Sequence, residues 1–113
     1  MLHELRQYTI VPGEMPHYLK NIADVGGPIR KDQYGKLLGF WINEFGTGYE
    51  VFHLWQHEDF NARQRSRAEL FNLEPWKQLL PQVEPRIQNQ EVRLLTPYVQ
   101  VHSRRYYCPR SWS

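Results

Sequence analysis

The sequence predicts an α+β fold, a four-stranded antiparallel sheet with helices on one face. Two observations carry this. Strand and helix patterns follow one another as strand, helix, strand, strand, helix, strand, which is the ferredoxin-like βαββαβ order. At the centre, residues 37–45 and 49–55 flank Gly46-Thr47-Gly48. β-branched and aromatic runs bounded by such a turn read as a β-hairpin.

Residues 2–11 read as the first strand. Leu5 and Val11 fall on one parity, and Glu4, Arg6, Tyr8 and Ile10 on the other. Pro12-Gly13 ends it. Pro16 suits a first helical turn, and Met15, Tyr18, Leu19 and Ile22 recur at i, i+3, i+4, i+7. Gly26-Gly27-Pro28 is expected to break that helix. Pro28 then starts a short second helix through Gln33, with Gly35 as its C-terminal cap. In the hairpin, Phe40, Ile42, Phe52 and Leu54 are assigned to the face the helices cover, together with Leu5 and Val11. Trp41, Asn43, His53 and Trp55 are assigned to the opposite face, with Arg6 and Tyr8. Asp59 is a good N-cap for a helix reaching about Leu73. Pro75 opens another, with Trp76, Leu79, Leu80 and Val83 on one stripe, which Pro81 should kink or interrupt. Residues 90–96 read as the fourth strand, stopped by Pro97. The chain thus divides into a domain over residues 1–99 and a basic, aromatic tail over 100–113.

Composition narrows the function classes. The 113 residues supply one domain with a single core. A net charge of +2 is too small to argue for nucleic acid. No run approaches the length of a membrane span, and strand-like residues from Leu2 leave no room for a targeting peptide. The single cysteine, Cys108, permits neither an internal disulfide nor a cysteine-rich metal site, and a cytoplasmic location is expected. There is no phosphate-cradling glycine loop and no nucleophile elbow, so no cofactor is expected.

The face assigned Arg6, Tyr8, Trp41, Asn43, His53 and Trp55 has no second helical layer, and large apolar patches in water are a liability. A second copy docked sheet to sheet is the expected cover, giving a two-fold homodimer that closes a cavity between the sheets; further association of dimers stays open. Within that cavity His53 is the best candidate for chemistry, as a general base near neutral pH. Asn43 would orient a substrate oxygen or stabilise an enolate-like charge, and Trp41 and Trp55 would stack on a flat ligand. The alternative for His53 is a purely structural hydrogen bond. Arg6, beside Tyr8, can bind a carboxylate bidentately, but an ion pair with Glu4, Glu91 or Glu44 is favoured. Tyr34 can gate the pocket mouth, with packing under the short helix as the favoured alternative. His53 and His57 are four apart but straddle a strand end, so no metal site is expected. Arg63 and Arg67 share a helical face and can clamp an acid from a partner subunit.

Several blocks resemble the NIPSNAP-domain proteins. They are Glu4-Leu5-Arg6-Gln7-Tyr8-Thr9-Ile10-Val11-Pro12-Gly13; Tyr34-Gly35-Lys36-Leu37-Leu38-Gly39-Phe40-Trp41, followed by Glu44-Phe45-Gly46; Val51-Phe52-His53-Leu54-Trp55, then Glu58-Asp59 and the Arg63/Arg67 region; Glu74-Pro75-Trp76; and Gln90-Glu91-Val92-Arg93. The resemblance implies a ferredoxin-like subunit of a dimeric α+β barrel, in a compact bacterial form. That superfamily includes cofactor-independent monooxygenases, haem-degrading enzymes and small-ligand binders, while NIPSNAP proteins have no established reaction. Three functions follow as expectations. The first is a homodimer holding a small planar or acidic molecule between its sheets. The second is a cofactor-free oxygenase or isomerase using His53 and Asn43. The third is a protein-interaction module.

Overall fold

The computed structural model describes residues 1–46 and 48–98. The tail over 100–113, with Cys108, lies outside the described residues. β1 (Leu2–Ile10) pairs antiparallel with both β3 (Glu50–His57) and β4 (Ile87–Leu95), and β2 (Lys36–Ile42) pairs with β3. The sheet order is therefore β2-β3-β1-β4, as the ferredoxin-like reading requires.

The hairpin register reverses part of the expected face assignment. Trp41 stands opposite Phe52, and Phe40 opposite His53; the Asn43 N–H donates to the Glu50 carbonyl at 2.9 Å. Directly opposed residues of an antiparallel pair share a face. Phe40, His53 and Trp55 thus lie on one side of the sheet, and Trp41 and Asn43 on the other, with Phe52. The cause is the connection over 44–49, whose even length sets odd-numbered positions of β2 against even-numbered positions of β3. A one-residue change of register exchanges the two faces of a strand.

The helices also cover the side opposite to the one expected. The core beneath them contains Tyr8, Ile10 and Val51 from the sheet, packed on Tyr18, Leu70, Trp76, Leu79 and Val83 from the helices. Leu5, Phe52 and Leu54 face away, on the parity opposite to His53. The misleading signal was polarity. Glu4, His53 and His57 alternate with apolar positions on the covered side and are all buried, so that side reads as the polar one in sequence.

The first helical segment does not break at its glycines. α1 (Met15–Lys20) passes through a π-helical stretch, Asn21–Gly26, directly into α2 (Gly27–Arg30). The Gly27 N–H donates to the Ile22 carbonyl five residues back, the wide-turn pattern of a π-bulge. Pro28 falls within the first two residues of α2, where its missing N–H costs little. Gly26 is buried, and a Cβ there would stand 3.4 Å from Leu79 Cδ2, so the glycine serves close packing against the later helix.

α3 (Phe60–Phe71) begins as expected, with Asp59 Oδ1 accepting from the Ala62 N–H at 2.7 Å. α4 (Glu74–Val83) continues past Pro81 and gives way to a 3-10 turn, Glu84–Arg86, before β4. Pro81 therefore disturbs only the last turn.

Candidate functional site

A cavity of about 680 Å³ opens between the covered face of the sheet and the helices above it. Its floor carries Glu4, Arg6 and Tyr8 from β1 and His53, Trp55 and His57 from β3; Tyr18, Arg30, Arg67 and Trp76 come from the helices. The expected cavity lay between two sheets. The cavity present lies within the single chain, because the polar side of the sheet is the side the helices cover.

Glu4 is the hub of the floor. Its side chain is 3% exposed. Arg63 Nε donates to it at 2.7 Å and His57 Nε2 lies 3.2 Å away, and Arg6 Nη1 is bonded to its other oxygen. Burial alone would raise the Glu4 carboxyl; the hydrogen bonds and charges of Arg63 and Arg6 outweigh it and bring it down to about 2. Arg6 also donates from Nε to the Tyr8 hydroxyl at 2.7 Å. Of the pairings open to Arg6, the one formed is with Glu4. Arg63, one of the two arginines able to clamp a partner's acid, is engaged inside its own chain.

His53 is 6% exposed. The Trp55 indole N–H donates to its Nδ1 at 2.7 Å. An indole nitrogen only donates, so that contact assigns Nδ1 as the acceptor and places the imidazole proton on Nε2. Nε2 is buried with no partner among the described residues. The ring stacks on Phe40 at 5.3 Å and meets Tyr8 edge-on at 4.8 Å. Burial, with the charges of Arg6 and Arg30 added, lowers its pKa to about 3, so the ring is neutral at physiological pH.

Three more buried polar atoms lack a partner among the described residues: the Tyr18 hydroxyl, Arg30 Nε and Trp76 Nε1. Their residues all line the same cavity. The Arg30 guanidinium sits over the Trp55 ring at 3.7 Å, and one of its terminal nitrogens donates to the Tyr34 carbonyl at 2.7 Å. Burial and the charge of Arg6 bring Arg30 down to about 10, so it remains a cation. Arg67 lies over Phe71 at 5.1 Å; burial and the like charges of Arg6 and Arg63 lower its pKa.

The structure thus brings together Arg6, Tyr8, His53 and Trp55 of the residues singled out in sequence. Trp41 and Asn43 are on the other face, where Asn43 donates to Glu50 at 3.0 Å and Trp41 is 53% exposed. Stacking of one ligand between Trp41 and Trp55 is excluded by that separation. Tyr34 packs against the core rather than lining the cavity. His57 is bound to Glu4, and no group of three metal-ligating side chains occurs among the described residues. Sequence reasoning missed Glu4, Tyr18, Arg30 and Trp76 as site residues. Glu4 shares a strand parity with Arg6 and Tyr8, which is a signal for it. Tyr18 and Trp76 read as ordinary core positions, and Arg30 becomes a cavity residue only because the helix continues through Gly26 and Gly27.

The NIPSNAP family model matches residues 3–100. The human protein NipSnap homolog 2 is 31% identical over 97 residues, covering 85% of this chain and 33% of the relative. Human NipSnap homolog 3B is 30% identical over 95 residues, covering 81% and 37%. The chain therefore spans about a third of the length of these curated relatives. Among solved structures, an uncharacterised NIPSNAP domain protein from Burkholderia xenovorans superposes with a TM-score of 0.82 at 32% identity, covering 96% of this chain and 99% of the other. A NIPSNAP family protein of unknown function from Agrobacterium tumefaciens gives 0.81 at 32% identity, covering 86% and 87%. An antibiotic biosynthesis monooxygenase at 18% identity gives 0.65, covering 88% and 100%, and shares the fold. No helix among the described residues is long and apolar enough to cross a membrane.

Proposed function

The chain belongs to the NIPSNAP family, and from that premise we propose that it binds a small, planar, acidic molecule in the cavity between its sheet and its helices, as a homodimer joined through the open sheet face. The charge count of the cavity carries this reading. Arg6, Arg30 and Arg67 line it, and the acids that line it are Glu4 and the exposed Glu84. Glu4 is already shared between Arg6 and Arg63. Arg30 and Arg67 are left with no carboxylate partner among the described residues. Half-buried cations gain from pairing, and an anionic ligand supplies the missing charge. The rings of Phe40, Tyr8 and Trp55 suit a flat molecule.

Benzoate, as the simplest planar anion, is expected to raise the melting temperature, and neutral benzamide to raise it much less. Arg67→Ala should weaken benzoate about tenfold or more, the order expected for a lost hydrogen bond to a charged group. Equal binding of benzoate and benzamide would overturn the reading.

The dimer rests on the exposed side of the sheet, where Trp41 stands beside Phe52 and Leu54. Light scattering is expected to give twice the chain mass for the native protein and a smaller mass for Trp41→Glu. A native monomer at micromolar concentration would remove this part of the proposal.

The oxygenase or isomerase reading, with His53 as general base and Asn43 beside it, requires a free imidazole lone pair. The Trp55 indole occupies that lone pair, and Asn43 is on the other face. We therefore give His53 the role of hydrogen-bond donor to the ligand.

A further inference from the structure

We propose that the cavity selects the conjugate base of a weak planar acid, a phenolate or an enolate, over its protonated form, through a set of buried donors unmatched among the described residues. This deepens the acidic-ligand reading and rests on it.

Of the four polar atoms left over in the cavity among the described residues, three can only donate. His53 Nε2 carries the proton that Trp55 keeps off Nδ1. Trp76 Nε1 and Arg30 Nε can only donate. The Tyr18 hydroxyl can donate or accept. An unsatisfied buried donor is costly to the fold, so a ligand that brings acceptors gains from each. A neutral phenol or enol brings a proton of its own, with these donors as its neighbours. Its conjugate base brings acceptor lone pairs alone.

The geometry also separates a lone oxyanion from a carboxylate. A carboxylate is best held by a guanidinium fork. Arg63 gives its fork to Glu4, Arg6 divides its nitrogens between Glu4 and Tyr8, and Arg30 is turned face-on to Trp55 with a terminal nitrogen on Tyr34, which leaves the fork of Arg67, set over Phe71, as the one for a carboxylate among the described residues. The unmatched buried donors are single N–H and O–H groups from separate elements, which suit single acceptor oxygens on a delocalised ring. Charge around them favours the anion. From β1 come Arg6 and the already neutralised Glu4, with Tyr8 between Arg6 and His53; from β3 comes His57, bonded to Glu4. From the helices come Tyr18, Arg30 and Arg67, with Glu84 exposed beyond α4. The low pKa of His53 keeps it neutral while such a ligand titrates.

Trp55 is then a positioning residue. It fixes the imidazole tautomer, so that the proton points to the ligand.

The test uses 4-nitrophenol, whose phenolate is yellow and whose phenol is nearly colourless. In the presence of the native protein its bound form should ionise at least about one pH unit below the free probe, a tenfold preference for the anion. His53→Phe should abolish the downward shift. Trp55→Phe, which keeps a ring but releases the tautomer, should shrink it. The native titration decides the matter even if a variant fails to fold. A bound probe with an unmoved or raised pKa overturns this inference and leaves the acidic-ligand reading standing, as does binding of benzoate with no binding of 4-nitrophenol. Failure of both probes to bind overturns both.

Discussion

Glu4→Ala is expected to cost about 3–5 kcal/mol of folding stability, the order found when one member of a buried ion pair is removed. The carboxylate accepts from Arg63 and Arg6 and faces His57, so one substitution strands two guanidinium groups and an imidazole. Arg6 is 13% and Arg63 13% exposed at the side chain, too little for water to replace the lost partner fully. Arg63 is also the link between β1 and α3, so its release should loosen the helix above the cavity. Urea unfolding measures the effect. A loss below about 1 kcal/mol would mean that the network contributes little, as an exposed pair would. Glu4→Gln keeps the shape and should fall between the two, because the amide can accept from one arginine but carries no charge.

Acid should unfold the protein in two limbs, the first beginning unusually high. His53 has its pKa lowered from 6.5 to about 3 by burial and then by Arg6 and Arg30. The unfolded chain therefore binds a proton there below about pH 6.5 that the folded chain refuses. The stability is fully present above 6.5 and declines as pH falls through 3, by up to about 5 kcal/mol. His57 is lowered in the same direction, burial outweighing its contact with Glu4, and adds to this limb. Glu4 supplies the second. Its pKa falls from 4.5 to about 2, so its contribution, about 3 kcal/mol, is intact above 4.5 and is lost as pH falls through 2. Urea midpoints for the native protein should begin to fall below about pH 6.5. His53→Phe, which places an aromatic ring against Phe40 and Tyr8, should flatten most of the slope between 6.5 and 4.5 and keep the lower limb. A native midpoint constant down to pH 4.5 would contradict the burial of a neutral His53.

The element order was legible because each signal is local. Asp59 caps its helix through its own Oδ1, and Gly46 and Gly48 mark the hairpin turn. The faces of the sheet were not legible, because they depend on how many residues the 44–49 connection spends before pairing resumes, and propensity does not state that number. Burial misled for the same reason that makes the site: Glu4, Arg6 and His57 bond to one another beneath the helices and Trp55 bonds to His53, so a hydrophobic count takes the inner side for the outer one. His53, Trp55, Arg6 and Tyr8 could be chosen from sequence since they alternate on adjacent strands. Arg30 could not, since its place depends on a helix continuing through two glycines and a proline.

That continuation has its own consequence. Tyr18, Ile22, Gly26 and Arg30 border the cavity at intervals of four. In a regular α-helix each such step drifts about 40°, so three steps would carry the last residue about 120° around the axis. The wider turns over Asn21–Gly26 take up an extra residue and slow that drift, holding both ends of the rod in phase with the cavity. The number of residues in this stretch therefore works as a dial. Homologues one residue shorter or longer there would present a different side chain in place of Arg30, changing what the chamber accepts while leaving every strand of the sheet as it is.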